Sequence, residues 1–251
     1  MISIKSEYEL TLMREASNIL VKTRQALLEM IHPGISTEAL DKRAEEMIRS
    51  LGGTPSFKGY EGYPGSICAS KNHVVIHGIP SKKEILKDGD IISIDLGVTY
   101  KGYHADSAMT FKVGTISKEK ELLLKVTEEA LYKGIEKAVP GNRVSDISHA
   151  IESHIKPYGF GIVETFTGHG IGRNLHEEPQ VLNYGPPNQG PILKPGMTIC
   201  IEPMVNLGTK NVHVLKDGWT VVTDDKQPSA HFEHMILITE SGHEIMTKPK
   251  E

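Results

Sequence analysis

Five residues of this chain combine acids and an imidazole in a pattern suited to holding cations: Asp95, Asp106, His169, Glu202 and Glu233. Asp95 and Glu202 close two near-copies of one phrase, Lys87-Asp88-Gly89-Asp90-Ile91-Ile92-Ser93-Ile94-Asp95 and Lys194-Pro195-Gly196-Met197-Thr198-Ile199-Cys200-Ile201-Glu202, 107 residues apart (202 − 95). Each copy reads as a charged glycine turn, a β-branched strand and a carboxylate at the strand end. A single Asp in that position is commonly a turn former that bonds nearby backbone N–H groups. Two acids at matching places on apolar strands are costly to bury unless they are paired, hydrogen-bonded or bound to metal.

The other three have the same character. In an antiparallel hairpin turning near Tyr100 and Lys101, Asp106 faces Asp95, and Gly102 suits the tight turn between them. Glu233 falls in His231-Phe232-Glu233-His234-Met235-Ile236-Leu237-Ile238, where strand alternation sets it on the side of Met235 and Leu237. His169 sits in the glycine loop Gly168-His169-Gly170-Ile171-Gly172, where a ligand can approach the backbone closely. That loop is not the dinucleotide fingerprint, and the segment after it is a poor helix start, which disfavours a phosphate site. Singly, each residue has a plainer reading as a solvated loop, a structural ion pair or a structural histidine. Together they form an oxygen-rich set that suits divalent ions such as Mn, Co or Fe. Four carboxylates balance two divalent ions, and two-metal sites generate a hydroxide nucleophile near neutral pH. The expected chemistry is hydrolysis.

The elements that must deliver these residues also come in two copies. Helical spacing runs over residues 6–31 (Leu10, Met13, Ala16, Ile19, Leu20, Leu27), His32-Pro33-Gly34 breaks it, and Ser36 or Thr37 starts a second helix to about Leu51. The same order returns as a helix over 118–139, a break at Pro140-Gly141, and a helix capped by Ser145 that runs to about Pro157. His77-Gly78-Ile79-Pro80 and His176-Glu177-Glu178-Pro179 repeat a His-x-x-Pro phrase just upstream of each strand. Strands are expected at 91–97, 104–113, 197–203 and 231–239. The reading is an α+β fold, an antiparallel sheet backed by two helical pairs, in one domain over 1–251 with an internal repeat of roughly 6–110 and 117–240.

With 38% apolar residues, a net charge of −4 and a pI near 6.3, the chain is built like a soluble globular protein without attraction for nucleic acid or anionic membranes. It carries two cysteines and no Cys-x-x-Cys, too few for a disulfide framework. There is no secretory h-region and no run near the roughly 20 apolar residues of a bilayer span. A cytoplasmic protein is expected, and nothing in the sequence requires more than a monomer.

In their order and surroundings, the five residues resemble the ligand set of the type I methionine aminopeptidases. The resemblance extends through Gly59-Tyr60-Glu61-Gly62-Tyr63-Pro64, His77-Gly78-Ile79-Pro80, Gly168-His169-Gly170-Ile171-Gly172, His176-Glu177-Glu178-Pro179 and Ile201-Glu202-Pro203, essentially the whole chain. It implies the pseudo-two-fold pita-bread fold and removal of initiator methionine from nascent chains whose second residue is small. Two divalent ions would be held, Asp95 on one, Asp106 and Glu233 bridging both, His169 and Glu202 completing the other; Mn, Co, Fe, Zn and Ni are all candidates. An activated hydroxide would attack the scissile carbonyl, with Glu202 as proton shuttle and His77 and His176 contacting the peptide. Tyr60, Tyr63, Cys68 and Trp219 match the family's methionine pocket, which makes Cys68 a wall and not a nucleophile. Phe57 and Leu175 depart from common family residues and bear on the pocket's width. Partners would be N-terminal methionyl peptides and nascent chains, with a transient ribosome contact made through the catalytic domain. An Xaa-Pro peptidase on the same fold and a non-catalytic relative are the alternatives. The first usually needs an additional N-terminal domain, and the second would have lost ligands.

Overall fold

The structure, a computed structural model, describes residues 2–249; Met1, Lys250 and Glu251, the ends of the expected 1–251 unit, lie outside the described residues. Four helices dominate: α1 (Glu7–Leu28), α2 (Thr37–Ser50), α3 (Lys118–Ile135) and α4 (Val144–Ile155). Helix α1 starts where it does because the Ser6 hydroxyl accepts from the Glu9 N–H while the Glu9 carboxylate accepts from the Ser6 N–H. Its apolar stripe, including Met13, Ala16, Leu20 and Leu27, is buried as the spacing predicts.

One cap differs from expectation. Helix α4 begins after Arg143, whose N–H is held by the Asp146 carboxylate at 2.7 Å, and the Ser145 hydroxyl instead accepts from Gln189 N–H at 2.6 Å. Arg143 stands 107 residues after Ser36, the cap of α2, and the backbone repeats at that same interval. Ser36 bridges Ile85 as Arg143 bridges Ile192. Gly34 N–H donates to Leu86 as Gly141 does to Leu193, and Thr37 N–H donates to Glu84 as Val144 does to Pro191. The duplication seen in the sequence therefore reaches individual hydrogen bonds.

Every strand pair among the described residues is antiparallel, and the ladders form four small sheets instead of one continuous sheet. The strands Ile91–Tyr100 and Tyr103–Lys112 make the main hairpin beside Ile67–Lys71. Thr198–Ile201 lies between Gly168–Gly170 and His234–Ile238. Ile92 and Ile94 pack into the core under α1 and α2, and their counterparts Ile199 and Ile201 pack into the core under α3 and α4. The acids that follow in each strand are thus placed between two helix-backed layers.

Candidate metal centre and pocket

The hairpin register differs by two residues from the one expected. Lys101 and Gly102, with φ of 47° and 81°, form the two-residue turn, so Tyr100 pairs with Tyr103, Asp95 with Ala108 and Gly97 with Asp106. Positive φ at both central positions is what a type I′ hairpin requires, and the glycine belongs in the turn and not beside it. Asp95 and Asp106 are therefore diagonal neighbours on one face. Diagonal neighbours stay within reach of longer side chains, and a third acid closes the group: ligand atoms of Asp95, Asp106 and Glu233 lie within 4.8 Å of one another.

Glu233 is not inside a strand. It stands in the break between Ser229–His231 and His234–Ile238, its N–H donating to Ala108 O at 2.8 Å and its carbonyl accepting from the Ser107 hydroxyl at 2.7 Å. The acid interrupts the ladder and is clamped to the strand that carries Asp106. His169 is also placed differently, at the centre of the short strand Gly168–Gly170 and not in a loop. A Cβ on Gly168 would meet Cys200 O at 2.3 Å and one on Gly170 would meet Glu178 O at 2.2 Å, so these glycines serve close strand approach. The His169 Nδ1–H donates to Gly170 O at 2.8 Å, which leaves Nε2 free to face Glu202 Oε1 at 3.5 Å. Burial drives the His169 pKa down to about 3, so its imidazole is neutral and fit to be a ligand.

The carboxyl groups have the opposite problem. Burial, then repulsion among Glu233, Asp95 and Glu202, pushes Asp106 well up; burial likewise raises Glu202 and Glu233, and lifts Asp95 to about 6. Asp95 Oδ1, Asp106 Oδ1 and Glu233 Oε1 are sealed from solvent, and no donor among the described residues reaches them. Orphaned carboxylate oxygens that converge on one point fit divalent cations, which would satisfy the lone pairs and offset the charge together.

Beside this centre is a cavity of about 200 Å³ lined by all eleven residues expected as ligands, catalytic groups or pocket walls, by Phe57 and Leu175, and by Glu61. Tyr63 packs edge-on against Trp219 at 5.1 Å, and its hydroxyl donates to Ile67 O and Gly78 O at 3.0 Å. His77 lies between the rings of Phe166 and Trp219 at 5.8 and 6.1 Å, with burial lowering its pKa to about 4. His176 stands at the mouth, Nδ1 3.0 Å from the Tyr60 hydroxyl and its ring 4.5 Å from that of His169. Cys68 is buried in the wall, and burial pushes its thiol pKa well up.

Residues 11–240 match the model of metallopeptidase family M24. The chain belongs to that family. Its methionine aminopeptidase members are similar along their whole length. Methionine aminopeptidase 1 of Bacillus subtilis is 54% identical over 99% of this chain and 100% of its own, and the Clostridium perfringens methionine aminopeptidase is 53% identical over 98% and 99%. The crystal structure of a methionine aminopeptidase from Thermotoga maritima superposes with a TM-score of 0.98 at 42% identity, covering 99% of this chain and all of that one. A Pyrococcus furiosus prolidase shares the fold at a TM-score of 0.81 and 26% identity, and this chain spans 66% of it. The chain is a metal-dependent hydrolase of the methionine aminopeptidase group, with that group's pita-bread α+β fold.

Two residues at this M24 centre were not singled out in the sequence. Cys200, fully buried, offers its sulfur within 4.8 Å of ligand atoms of His169 and Glu233. His231, 2% exposed, sets Nε2 3.3 Å from Glu202 Oε2. Each stands two residues before a candidate ligand, Glu202 or Glu233, and that spacing was the available signal for both. No helix among the described residues is long and apolar enough to cross a membrane.

Proposed function

We propose that this M24 chain removes the initiator methionine from nascent polypeptides whose second residue is small, using two divalent ions held by Asp95, Asp106, His169, Glu202 and Glu233. The observation that carries the reading is the convergence of three buried, partnerless carboxylate oxygens from Asp95, Asp106 and Glu233 on the wall of an aromatic and thiol-lined cavity. Bound there, the ions would supply Lewis acidity and an activated water at neutral pH. The chain's own groups would do the rest. Tyr60, Tyr63, Cys68 and Trp219 would grip the thioether, since sulfur and ring edges attract one another. Neutral His77 and His176 would donate to the scissile carbonyl oxygen as it gains charge. Glu202 would carry a proton between the attacking water and the leaving amine at its carboxylate oxygens. Phe57 and Leu175 would limit the width of the pocket. We also assign residues 1–251 to one catalytic unit made of halves 6–110 and 117–240, a monomer of the cytoplasm that meets nascent chains through this same domain.

The test is release of free methionine from a Met-Ala-Ser peptide by chelated protein, before and after adding Mn, Co or Fe, with Met-Leu-Ser and an Ala-Pro peptide alongside. Metal-restored cleavage of Met-Ala-Ser alone is expected. Cleavage of the Ala-Pro peptide would move the assignment to the Xaa-Pro branch, and no release by folded protein with any metal would favour a non-catalytic scaffold.

A further inference from the structure

Glu202 emerges from the end of the strand Thr198–Ile201 with its two carboxylate oxygens facing different imidazoles. Oε1 lies 3.5 Å from His169 Nε2 and Oε2 lies 3.3 Å from His231 Nε2. His169 is already part of the proposed ligand set. His231 is not; its side chain is 2% exposed and does not line the cavity.

What distinguishes His231 is how firmly it is delivered. Its N–H donates to the Thr110 hydroxyl at 2.9 Å, and that hydroxyl donates back to the His231 carbonyl at 2.9 Å. Thr110 is in turn bonded to the Ser93 hydroxyl at 2.8 Å, on the paired strand that carries Asp95. The ring therefore hangs from the main hairpin. Its Nε2 is sealed from solvent and, among the described residues, has no well-aligned hydrogen-bond partner; the Glu202 carboxylate is the polar group it faces. A separation of 3.3 Å is long for an N–H···O bond, and contacts of this kind commonly tighten when a catalytic site fills.

We propose that His231 is a positioning residue for Glu202. Its Nε2–H donates to Oε2, stops the carboxylate from rotating and presents Oε1 to the side of the site where His169 stands. The inference rests on the reading of Glu202 as a metal ligand and proton carrier. Donors that orient metal-bound carboxylates typically contribute on the order of 10- to 100-fold in metal affinity or activity.

Two variants separate orientation from packing. His231→Leu removes the donor; His231→Gln keeps an amide N–H in reach of Oε2. For each, Mn binding to the chelated protein is measured by calorimetry, kcat and KM are measured on Met-Ala-Ser, and thermal unfolding monitors the fold. The leucine variant is expected to lose about tenfold or more in both Mn affinity and kcat, with KM changed less than about threefold, and the glutamine variant to recover both to within about fivefold. Wild-type Mn affinity and kcat in the leucine variant would overturn the proposal, as would a folded glutamine variant no better than leucine. Should leucine not fold, His231→Ser, too short to reach Oε2, takes its place under the same criteria. If the parent binds Mn but releases no methionine, the aminopeptidase reading fails while the calorimetric arm still decides the relation between His231 and Glu202.

Discussion

Tyr60 and His176 meet across the mouth of the pocket, the phenol oxygen 3.0 Å from Nδ1 and the rings 5.4 Å apart in an edge-to-face arrangement of 74°. One residue comes from the first half of the chain and the other from the second, so this contact joins the halves at the mouth of the proposed methionine pocket. With the phenol donating to Nδ1, the ring proton sits on Nε2 and that atom is free to donate to a peptide. Tyr60→Phe removes the donor but keeps the ring. It is expected to lower kcat about tenfold with little change in KM, whereas His176→Ala lowers kcat by about 10² or more. Steady-state kinetics on Met-Ala-Ser decide it, and a Tyr60→Phe enzyme with unchanged kcat would show that the phenol only fills space.

The four acids make the metal-free protein sensitive to pH. Asp106, Glu202 and Glu233 are raised well above the ordinary carboxylate range, and Asp95 to about 6, chiefly by burial. The folded chain therefore holds protons that the unfolded chain releases. That contribution to stability is complete below about pH 4 and is lost as pH rises through about 6 and above. Chelated protein should lose thermal stability between pH 5 and pH 8, and metal-loaded protein should lose much less, because the ions replace the protons. Scanning calorimetry of both forms gives the comparison; melting curves that shift in parallel with pH would contradict it.

Asp106→Asn separates holding metal from holding the fold. The residue is 4% exposed, and Asp106 meets repulsion from Glu233, Asp95 and Glu202. Replacing this buried, repelled carboxyl group with a neutral amide should raise the unfolding temperature of the metal-free protein at pH 8 by a few degrees, about 1 kcal/mol for a chain of this size. Methionine release should fall by about 10²-fold or more if Asp106 is one of the proposed metal ligands. A variant that is both inactive and less stable when metal-free would mean that the Asp106 carboxylate is already satisfied without an ion.

Both thiols should be inert in the folded protein. Cys68 and Cys200 are buried, and burial pushes both pKa values well up, so neither thiolate forms near neutral pH. Iodoacetamide at pH 7.5 is expected to leave native protein unlabelled with full activity, and to label both cysteines after denaturation; mass spectrometry counts the adducts. Rapid native labelling of Cys68 with loss of activity would give that residue a more reactive role than a pocket wall.

The candidate site was legible because its residues break local rules: acids closing apolar strands, a histidine between glycines, a phrase written twice. Local geometry was less legible where one residue of turn chemistry decides it. Centring the turn near Tyr100 and Lys101, instead of on Lys101 and Gly102, shifts the hairpin by two and puts Asp106 opposite Asp95, where the structure has them diagonal. Alternation made Glu233 a strand residue, but the clamp from Ala108 and Ser107 that pulls it out of the ladder comes from residues over 120 positions away. Gly168 and Gly170 are shaped by the strands that press on them, which no local pattern reveals. For His231 the only local signal is its place two residues before Glu233; what it does depends on Glu202, the carboxylate it faces, 29 residues away in the chain (231 − 202).

A buried lysine outside the candidate metal centre holds the segment next to His176. Lys5, 8% exposed, places Nζ 2.8 Å from Glu177 Oε2, and Asn174 N–H donates to the other oxygen at 3.1 Å. Glu177 directly follows His176, so the pair ties the segment before α1 to the start of the strand Glu177–Val181, next to His176. Lys5 is buried and Glu177 only partly so, and removing one member of such a pair strands the other at a cost of about 1–2 kcal/mol, between the exposed and fully buried cases, while removing both costs less. Lys5→Met is therefore expected to lower the unfolding free energy by about that much, and Lys5→Met with Glu177→Gln to recover most of it. Mn affinity should stay at the parent value in both, because none of the five proposed ligands is touched, while kcat falls with the loosened His176. Denaturant unfolding, Mn calorimetry and peptide kinetics on the same three proteins test this; a single variant as stable as the parent would show that Glu177 is held without the lysine by Asn174 N–H and by the Ser3 hydroxyl, which donates to Glu177 Oε2 at 2.8 Å.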